Sequence, residues 1–446
     1  MIYDIEVTTN RVDCMSIRGI ARECAAILPE FDIPATLKPL NPHPEIQSDQ
    51  PLQFEIINDP QLCHRILAIK LSSLKLGPSP HWLQTRLQQI GQRPLNNAID
   101  ITNYVMFDLG HPIHAFDFDK VTASGKLIVR EARAGETFTT LDEKNYTCIG
   151  GEVIFEDGNG TIIDLPGIMG TANTVVSDDT QNVLLWIESV DAKKIRHASM
   201  THGIRTQAAV LNEKDVDPYL ADDTFNRGIQ LYQELCQAQI ASQLHDEFPI
   251  KPENKPTQLS HTLLESYLGI SIEPDRVQAI LQKLECQVSF DNQTYTITPP
   301  SFRAQDLQIP QDYIEEVARI YGYYKLPSQL MSTPIPDRTA WTDHQVVDSH
   351  FEHHLKSLLA GFGMTEIYTY SLISQTQAQA SEYPMESHLT LKNPLSDDHV
   401  YLRQSLVPSH LTFLADNSGH SHLSLFELAK TYHPTQADPP HERLDL

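Results

Sequence analysis

Residues 245–256, HDEFPIKPENKP, set prolines at 249, 252 and 256 among charged side chains. Each proline removes a backbone donor and fixes φ, so neither a helix nor a central strand can run through the stretch. A linker is expected there, and it divides the 446 residues into parts that must each bury their own core. The polar, proline-rich run from Pro39 to Pro51 reads the same way. At this length the usual size of folding units gives about three or four domains.

Composition narrows the class. With 40% hydrophobic and 20% charged residues the chain is globular throughout. It has no run of about eighteen apolar residues that could cross a bilayer. Met1 leads directly into IYDIEV, without the basic start and apolar stretch of a secretory signal, so no membrane partner and a cytoplasmic location are expected. Six cysteines are scattered singly, with neither zinc-like spacing nor a disulfide framework. A formal charge of −25 repels polyanions unless basic side chains gather locally or another subunit supplies them.

Local patterning fills in the parts. Tyr3, Ile5 and Val7 alternate with Asp4 and Glu6, the period of a half-buried strand, and Ile17 to Leu28 carries one apolar helical stripe. Ser79-Pro80 is expected to cap a helix that ends at Gly91. Residues 126–189 are strand-rich, with Asp157-Gly158 and Asn159-Gly160 marking a tight hairpin. Asp191 should cap a helix, and a longer amphipathic helix is predicted from Pro218 to Ala238. Beyond the linker, two short helices precede the strands CQVSF and TYTIT, which suggests a small winged-helix-like module. A third part opens near Thr342 with a long helix ending at Gly361 to Gly363, then the strand signals TEIYTYSL, HLTL and HLSLFEL. It stops at Leu446 without turn or cap, as an interrupted domain would.

Two constellations carry chemistry. In RPLNNAIDITNYVMFDLGHPIHAFDFDK, Asn96, Asn97, Thr102, Asn103, His111 and His114 lie among apolar side chains. Such groups commonly cap helices or satisfy buried backbone, and they can also line a pocket. THGIRTQAAV adds Thr206 and the small Ala208 after a glycine. In DLQIPQDYIEEVARIYGYYKLP, Asp312, Glu315 and Glu316 share the first turns of an amphipathic helix, and Asp306 precedes it. A solvated acidic face is the common fate of such a set, while four oxygen donors also suit Mg²⁺. His350, His353 and His354 fall on one helical face, more often a solvated side than a metal grip. His420 and His422 in a presumed strand end carry the same balance.

Taken together, TTNRVDCMSIRGIAREC, RPLNNAIDITNYVMFDLGHPIHAFD, the run from GIMG to NVLL and DYIEEVARIYGYYKLP resemble the beta subunit of bacterial phenylalanine–tRNA ligases, in that family's order. The resemblance implies an α+β multidomain protein. Residues 1–245 would be a B1 and B3/B4-type editing core, 258–330 a winged-helix-like B5 module, and 340–446 the start of a class II synthetase-like antiparallel sheet domain. That last domain would be inactive, since SLFELAK lacks an arginine two places before Glu427. Synthesis would belong to an alpha subunit in an α2β2 assembly that uses ATP as substrate and Mg²⁺ as cofactor, with tRNA(Phe) as the nucleic-acid partner.

By the same resemblance His114, Thr102, Asn103, Thr206, Ala208, Gly167 and Gly170 would form an editing pocket for mischarged Tyr-tRNA. Asp306, Asp312, Glu315 and Glu316 would be Mg²⁺-linked carboxylates near the subunit interface. Editing answers a physical need, because an apolar pocket rejects an isostere bearing one extra hydroxyl only weakly. Within the pocket, His114 and Asn103 would orient a water or the terminal ribose, while Thr206 and the glycine backbone would hold the aminoacyl carbonyl. Two departures stand out. The glutamate usual after NVLL is Trp186 here, with Glu188 two residues on and about 7 Å away along an extended strand. The loop GIMGTANTVV lacks a second glycine. The family's N-terminal tRNA-binding module and C-terminal anticodon-recognising domain have no counterpart, so a shortened product that grips tRNA poorly alone is expected. A freestanding aminoacyl-tRNA deacylase and a non-catalytic interaction scaffold are the competing readings.

Overall fold

The computed structural model describes residues 2–329, 332, 343–435 and 440–446, and the chain divides into two compact units, Met1–Gln329 and Leu330–Leu446.

Two strands organise the first unit. Cys63–Ser72 and Val183–Val190 pair antiparallel, with Leu185 opposite Ile69 and Trp186 opposite Ala68. Strand His114–Asp117 joins the far edge of Val183–Val190, while Gln239–Ile240 and His245–Glu247 pair with Cys63–Ser72. One face of this sheet, carrying Ile66, Ala68, Phe116, Leu184 and Trp186, shares a core with a second sheet. The order in that second sheet is Glu55–Ile57, Lys126–Glu131, Val153–Asp157, Ile162–Leu165 and Met169–Gly170. The opposite face, with Leu67, Ile69, Leu71, Ala115, Leu185 and Ile187, packs with side chains of helices His81–Gln89, Asn97–Leu109 and Leu220–Cys236. Burial on both faces explains why these strands are written as continuous apolar runs rather than as alternation.

The expected Asp157-Gly158 hairpin joins Val153–Asp157 to Ile162–Leu165, and Asp191 caps helix Ala192–His202 by accepting the Lys194 N–H at 3.0 Å. All six cysteines are free. Among the described residues no helix is long and apolar enough to cross a membrane.

The module after the linker holds helices His261–Leu268 and Pro274–Lys283 and strands Gln287–Asp291 and Thr294–Thr298, as expected. Strand Thr257–Ser260 pairs with Thr294–Thr298 and makes the hairpin a three-stranded sheet. Helix Ile17–Ile27 reaches this module: Ala26 lies in its core with Leu259, Tyr295, Tyr313 and Val317. Gly19 permits the tight entry to that helix, since a Cβ there would lie 1.9 Å from the Asp13 carbonyl oxygen.

Several expectations need correction. Residues 2–7 form no strand, and Ile2, Tyr3 and Ile5 are exposed, because no neighbouring strand among the described residues pairs with them. Ser79 does not cap the helix. Pro80 holds that position, and the Ser79 hydroxyl donates to Asp100 Oδ2 at 2.6 Å. The linker begins later than expected, because His245–Glu247 is a strand.

The second unit departs most. Helix Asp343–Gly361 forms, while Thr342, where it was expected to open, lies outside the described residues. Among its described residues the second unit holds three two-stranded pairings, two antiparallel and one, Thr365–Glu366 with Leu425–Phe426, parallel. Tyr368 and Tyr370 are 92% and 76% exposed, so the presumed long strand there has nothing to pack on. His350, His353 and His354 are exposed on the helix, and His420 and His422 are exposed outside any strand.

Candidate functional site

The asparagine-rich segment is built first by helix ends. Asn96 caps helix Asn97–Leu109, accepting the Ile99 N–H at 3.0 Å. The Asn97 amide donates to the carbonyls of Lys75 and Leu235 and accepts the Gly77 N–H, tying three segments together. The Thr102 hydroxyl donates to the Ile99 carbonyl at 2.7 Å. Gly110 ends the helix at φ +98°, and the chain then turns through buried His111 into strand His114–Asp117.

His114 enters a cleft of about 70 Å³ lined also by Asp164, Gly167, Met169, Gly170, Glu188 and Ala208. Four segments meet there: strands Ile162–Leu165 and Val183–Val190, the loop leading to Met169–Gly170, and the start of helix Gln207–Asn212. Gly170 allows close approach, since a Cβ on it would lie 3.1 Å from His114 Cε1. Gly167 has φ +68°, and a Cβ there would lie 2.8 Å from Asn212 Nδ2. The Asn212 amide donates to the Gly167 carbonyl at 3.0 Å. Thr206 caps helix Gln207–Asn212, accepting the Ala209 N–H and donating its own hydroxyl to the Ile168 carbonyl at 2.5 Å. These bonds hold the glycine loop against the helix.

The structure therefore brings His114, Gly167, Gly170, Ala208 and Glu188 to one cleft, with Thr206 fastening its wall. Thr102 and Asn103 are not among the lining residues, because they sit within helix Asn97–Leu109 on the other side of the His111 turn. The Gly167 N–H is also unavailable to a substrate carbonyl: it donates to Glu188 Oε1 at 2.7 Å.

Electrostatics follow from burial. Burial brings His114 down to about 4, so its imidazole is neutral at pH 7 and able to accept a proton. Burial lifts Glu188 to about 7, partly offset by the Gly167 N–H and by the nearby Trp186 indole, which lies outside hydrogen-bond geometry. Asp164 was missed in the sequence. A single carboxylate in the apolar run IIDLPGIM was its signal. Burial, reinforced by the charge on Glu188, holds Asp164 well above the usual carboxylate range.

The four acidic residues proposed for Mg²⁺ do not fit an ion site. Glu316 is 4% exposed and pairs with Arg303 at 2.9 Å and with Arg319. Burial pushes its carboxyl up, but Arg319 and Arg303 outweigh that and bring it to about 2. Asp306 accepts from Arg303 and from the Asn10 amide, and Asp312 caps its helix by accepting the Gln308 and Ile309 N–H groups. Glu315 points outward, exposed. Among the described residues the one group with ligand-like spacing is Asp13, Cys14 and Glu23, and Arg11 already pairs with both of its carboxylates.

In the second unit Glu427 is 1% exposed. It accepts from the Thr369 N–H and hydroxyl and pairs with Arg403 at 3.2 Å and His410 at 3.0 Å. An arginine from a distant segment thus meets Glu427, although SLFELAK lacks one nearby.

Three family profiles match the chain: the B3/4 domain over residues 62–237, the tRNA synthetase B5 domain over 257–323, and the phenylalanyl tRNA synthetase beta chain CLM domain over 331–446. The phenylalanine–tRNA ligase beta subunit of Clostridium tetani is 34% identical over 100% of this chain and 56% of its own length. That of Thermotoga maritima is also 34% identical, over 97% of this chain and 53% of its own. That of Carboxydothermus hydrogenoformans matches at 34% over 99% and 54%. The chain spans about half the length of the curated relatives it matches. Among solved structures, an N-terminal fragment of the phenylalanyl-tRNA synthetase beta subunit from Pyrococcus horikoshii aligns with a TM-score of 0.36 at 17% identity, over 71% of this chain and 85% of that one. With three consecutive domain profiles and one third of its residues shared end to end with these relatives, the chain belongs to the phenylalanine–tRNA ligase beta-subunit family.

Proposed function

We propose that the chain acts as the beta-subunit part of a cytoplasmic phenylalanine–tRNA ligase, supporting ATP- and Mg²⁺-dependent attachment of phenylalanine to tRNA(Phe) by a separate alpha subunit in an α2β2 assembly. The observation that carries this is the unbroken similarity along the chain, through the B3/4, B5 and CLM profiles in succession. A freestanding deacylase would need only the first of these. Since Glu316 and Asp306 are paired with arginines and Asp312 with its own helix cap, any Mg²⁺ serving aminoacylation belongs to the alpha subunit in this reading.

The cleft at His114 is proposed as an editing site that hydrolyses a mischarged aminoacyl ester, Tyr-tRNA being the family's expected substrate. A neutral buried imidazole can take a proton from an attacking water. The loop held by Thr206 and Asn212 fixes the opposite wall at the close approach that Gly170 permits. Asn103, half-buried on the neighbouring helix, would act on the arriving terminal ribose from outside the cleft, while Thr102 is buried with its hydroxyl on the Ile99 carbonyl and braces that helix.

Co-expression with a candidate alpha subunit, followed by sizing and phenylalanine charging, tests the assignment. A co-eluting, charging-competent complex is expected. An alpha subunit that elutes alone would overturn the ligase-subunit reading in favour of a freestanding protein.

A further inference from the structure

The cleft beside His114 holds a buried acceptor that the protein leaves unpaired. Asp164 is 4% exposed and its Oδ1 has no hydrogen-bond partner, while Glu188, 8% exposed, takes only the Gly167 N–H on Oε1 among side-chain hydrogen bonds. The two carboxyls come from different sheets and line the same space. No lysine or arginine lines it. A buried acceptor left unpaired costs about 1–3 kcal/mol, more when charged, so an incoming donor would find a vacant and favourable position.

We infer that Asp164 and Glu188 form an acceptor wall that selects a small ligand group carrying a hydrogen-bond donor, either the hydroxyl of a short polar side chain or the α-ammonium of an aminoacyl ester. This rests on the reading of the cleft as an aminoacyl site and narrows it. Size sets the first limit. A cleft of about 70 Å³ is about half the ~150 Å³ that accommodates benzene. A phenyl or phenol ring therefore does not fit it as it stands. Charge sets the second. Burial raises both carboxyls, and the charge on Glu188 raises Asp164 further, so near neutral pH the pair retains a proton. It can then both accept from and donate to a hydroxyl.

The test measures binding of free amino-acid amides to the full chain by calorimetry, with L-serinamide, N-acetyl-L-serinamide, L-alaninamide and L-phenylalaninamide as probes. If the hydroxyl is read, both serine probes bind and L-alaninamide is weaker by about tenfold. If the ammonium is read, L-serinamide and L-alaninamide bind and the N-acetyl probe is weaker by a similar factor. In either case D164N and E188Q weaken binding about tenfold, D164L abolishes it, and L-phenylalaninamide does not bind. Equal affinity for the three small probes, no binding of any probe, or unchanged affinity in D164L would overturn the inference.

Thermal melting separates a ligand-selecting role from a structural one. D164L removes an orphaned acceptor and should melt at or above the parent temperature, whereas a lower melting temperature together with lost binding would make Asp164 structural and overturn the inference. Free amides need neither tRNA nor a partner subunit. Amide binding without ester hydrolysis would therefore count against the editing reading alone.

Discussion

Trp186 stands directly opposite His114 across the antiparallel pair, its indole enclosed by Phe116 and Phe155 at ring separations of 6.2 and 5.5 Å. Trp186, at the position where the resemblance implies a glutamate, is therefore a core side chain with no exposure. Introducing an acid there should not build a site. W186E would leave a cavity and bury an unpaired carboxylate, and its urea midpoint should drop by the equivalent of at least about 3–5 kcal/mol. An unchanged midpoint would mean that the aromatic nest contributes little.

His114, neutral at pH 7, is placed to take a proton in the cleft, and Glu188, lifted to about 7, stands in the same space. H114A should slow deacylation of a mischarged aminoacyl-tRNA that the parent complex hydrolyses by about 100-fold or more in an assembled, charging-competent complex. Deacylation at the parent rate would remove the histidine from the mechanism.

Glu188 makes stability depend on pH in a defined direction. Its folded-state value is about 7 against an ordinary 4.5, so between those values the folded chain holds a proton that the unfolded chain has lost. This contribution is fully present below pH 4.5 and is lost as pH rises through 7, about 3 kcal/mol in all. His111 and His114, both brought to about 4 by burial, act in the opposite sense: their contribution is present above pH 6.5 and declines as pH falls toward 4. Comparing the parent with E188Q by urea denaturation from pH 4.5 to 8 isolates the carboxyl. The difference between the two should shift toward E188Q as pH rises, and a difference independent of pH would show that Glu188 is ionised throughout.

The Arg303–Glu316–Arg319 cluster predicts what removing one member costs. E316A leaves buried Arg303 and half-buried Arg319 without the carboxylate between them, holding only Asp306 and Glu23, and should destabilise the first unit by about 3 kcal/mol. Since Glu316 and Asp306 are paired with arginines and Asp312 caps its helix, EDTA or added Mg²⁺ should leave the melting temperature of the isolated chain unchanged. A rise with Mg²⁺ that vanishes in E316A would reinstate the metal assignment.

Local chemistry was the readable part of the sequence. Asn96, Asp191 and the Asp157-Gly158 turn act through neighbours three or four residues away, so their roles can be seen in a short window. The apolar run of Val183–Val190 falls almost wholly in the stretch expected to be strand-rich, whereas Cys63–Ser72, the central partner strand, was not among the strands expected. What could not be read depends on distant partners. Glu316 looks like a metal ligand until Arg303 is folded against it, and Ser79 looks like a cap until Asp100 arrives. Strand Thr257–Ser260 exists because Thr294–Thr298 pairs with it, not because TQLS demands it. In the cleft, histidine and glycines were legible as a family pattern. Asp164 could be seen only as a charge out of place.

The ion pairs running from Arg11 through Glu23 to Arg319, Glu316, Arg303 and Asp306, and back through the Asn10 amide, close a ring between residues 10–23 and 303–319. A polypeptide whose first and last stretches within a unit are fastened this way behaves like a buckled strap. A protease nick among residues 248–256 would sever the covalent route without parting the two pieces. They would travel together at moderate ionic strength and separate only when salt and denaturant together loosen the buckle.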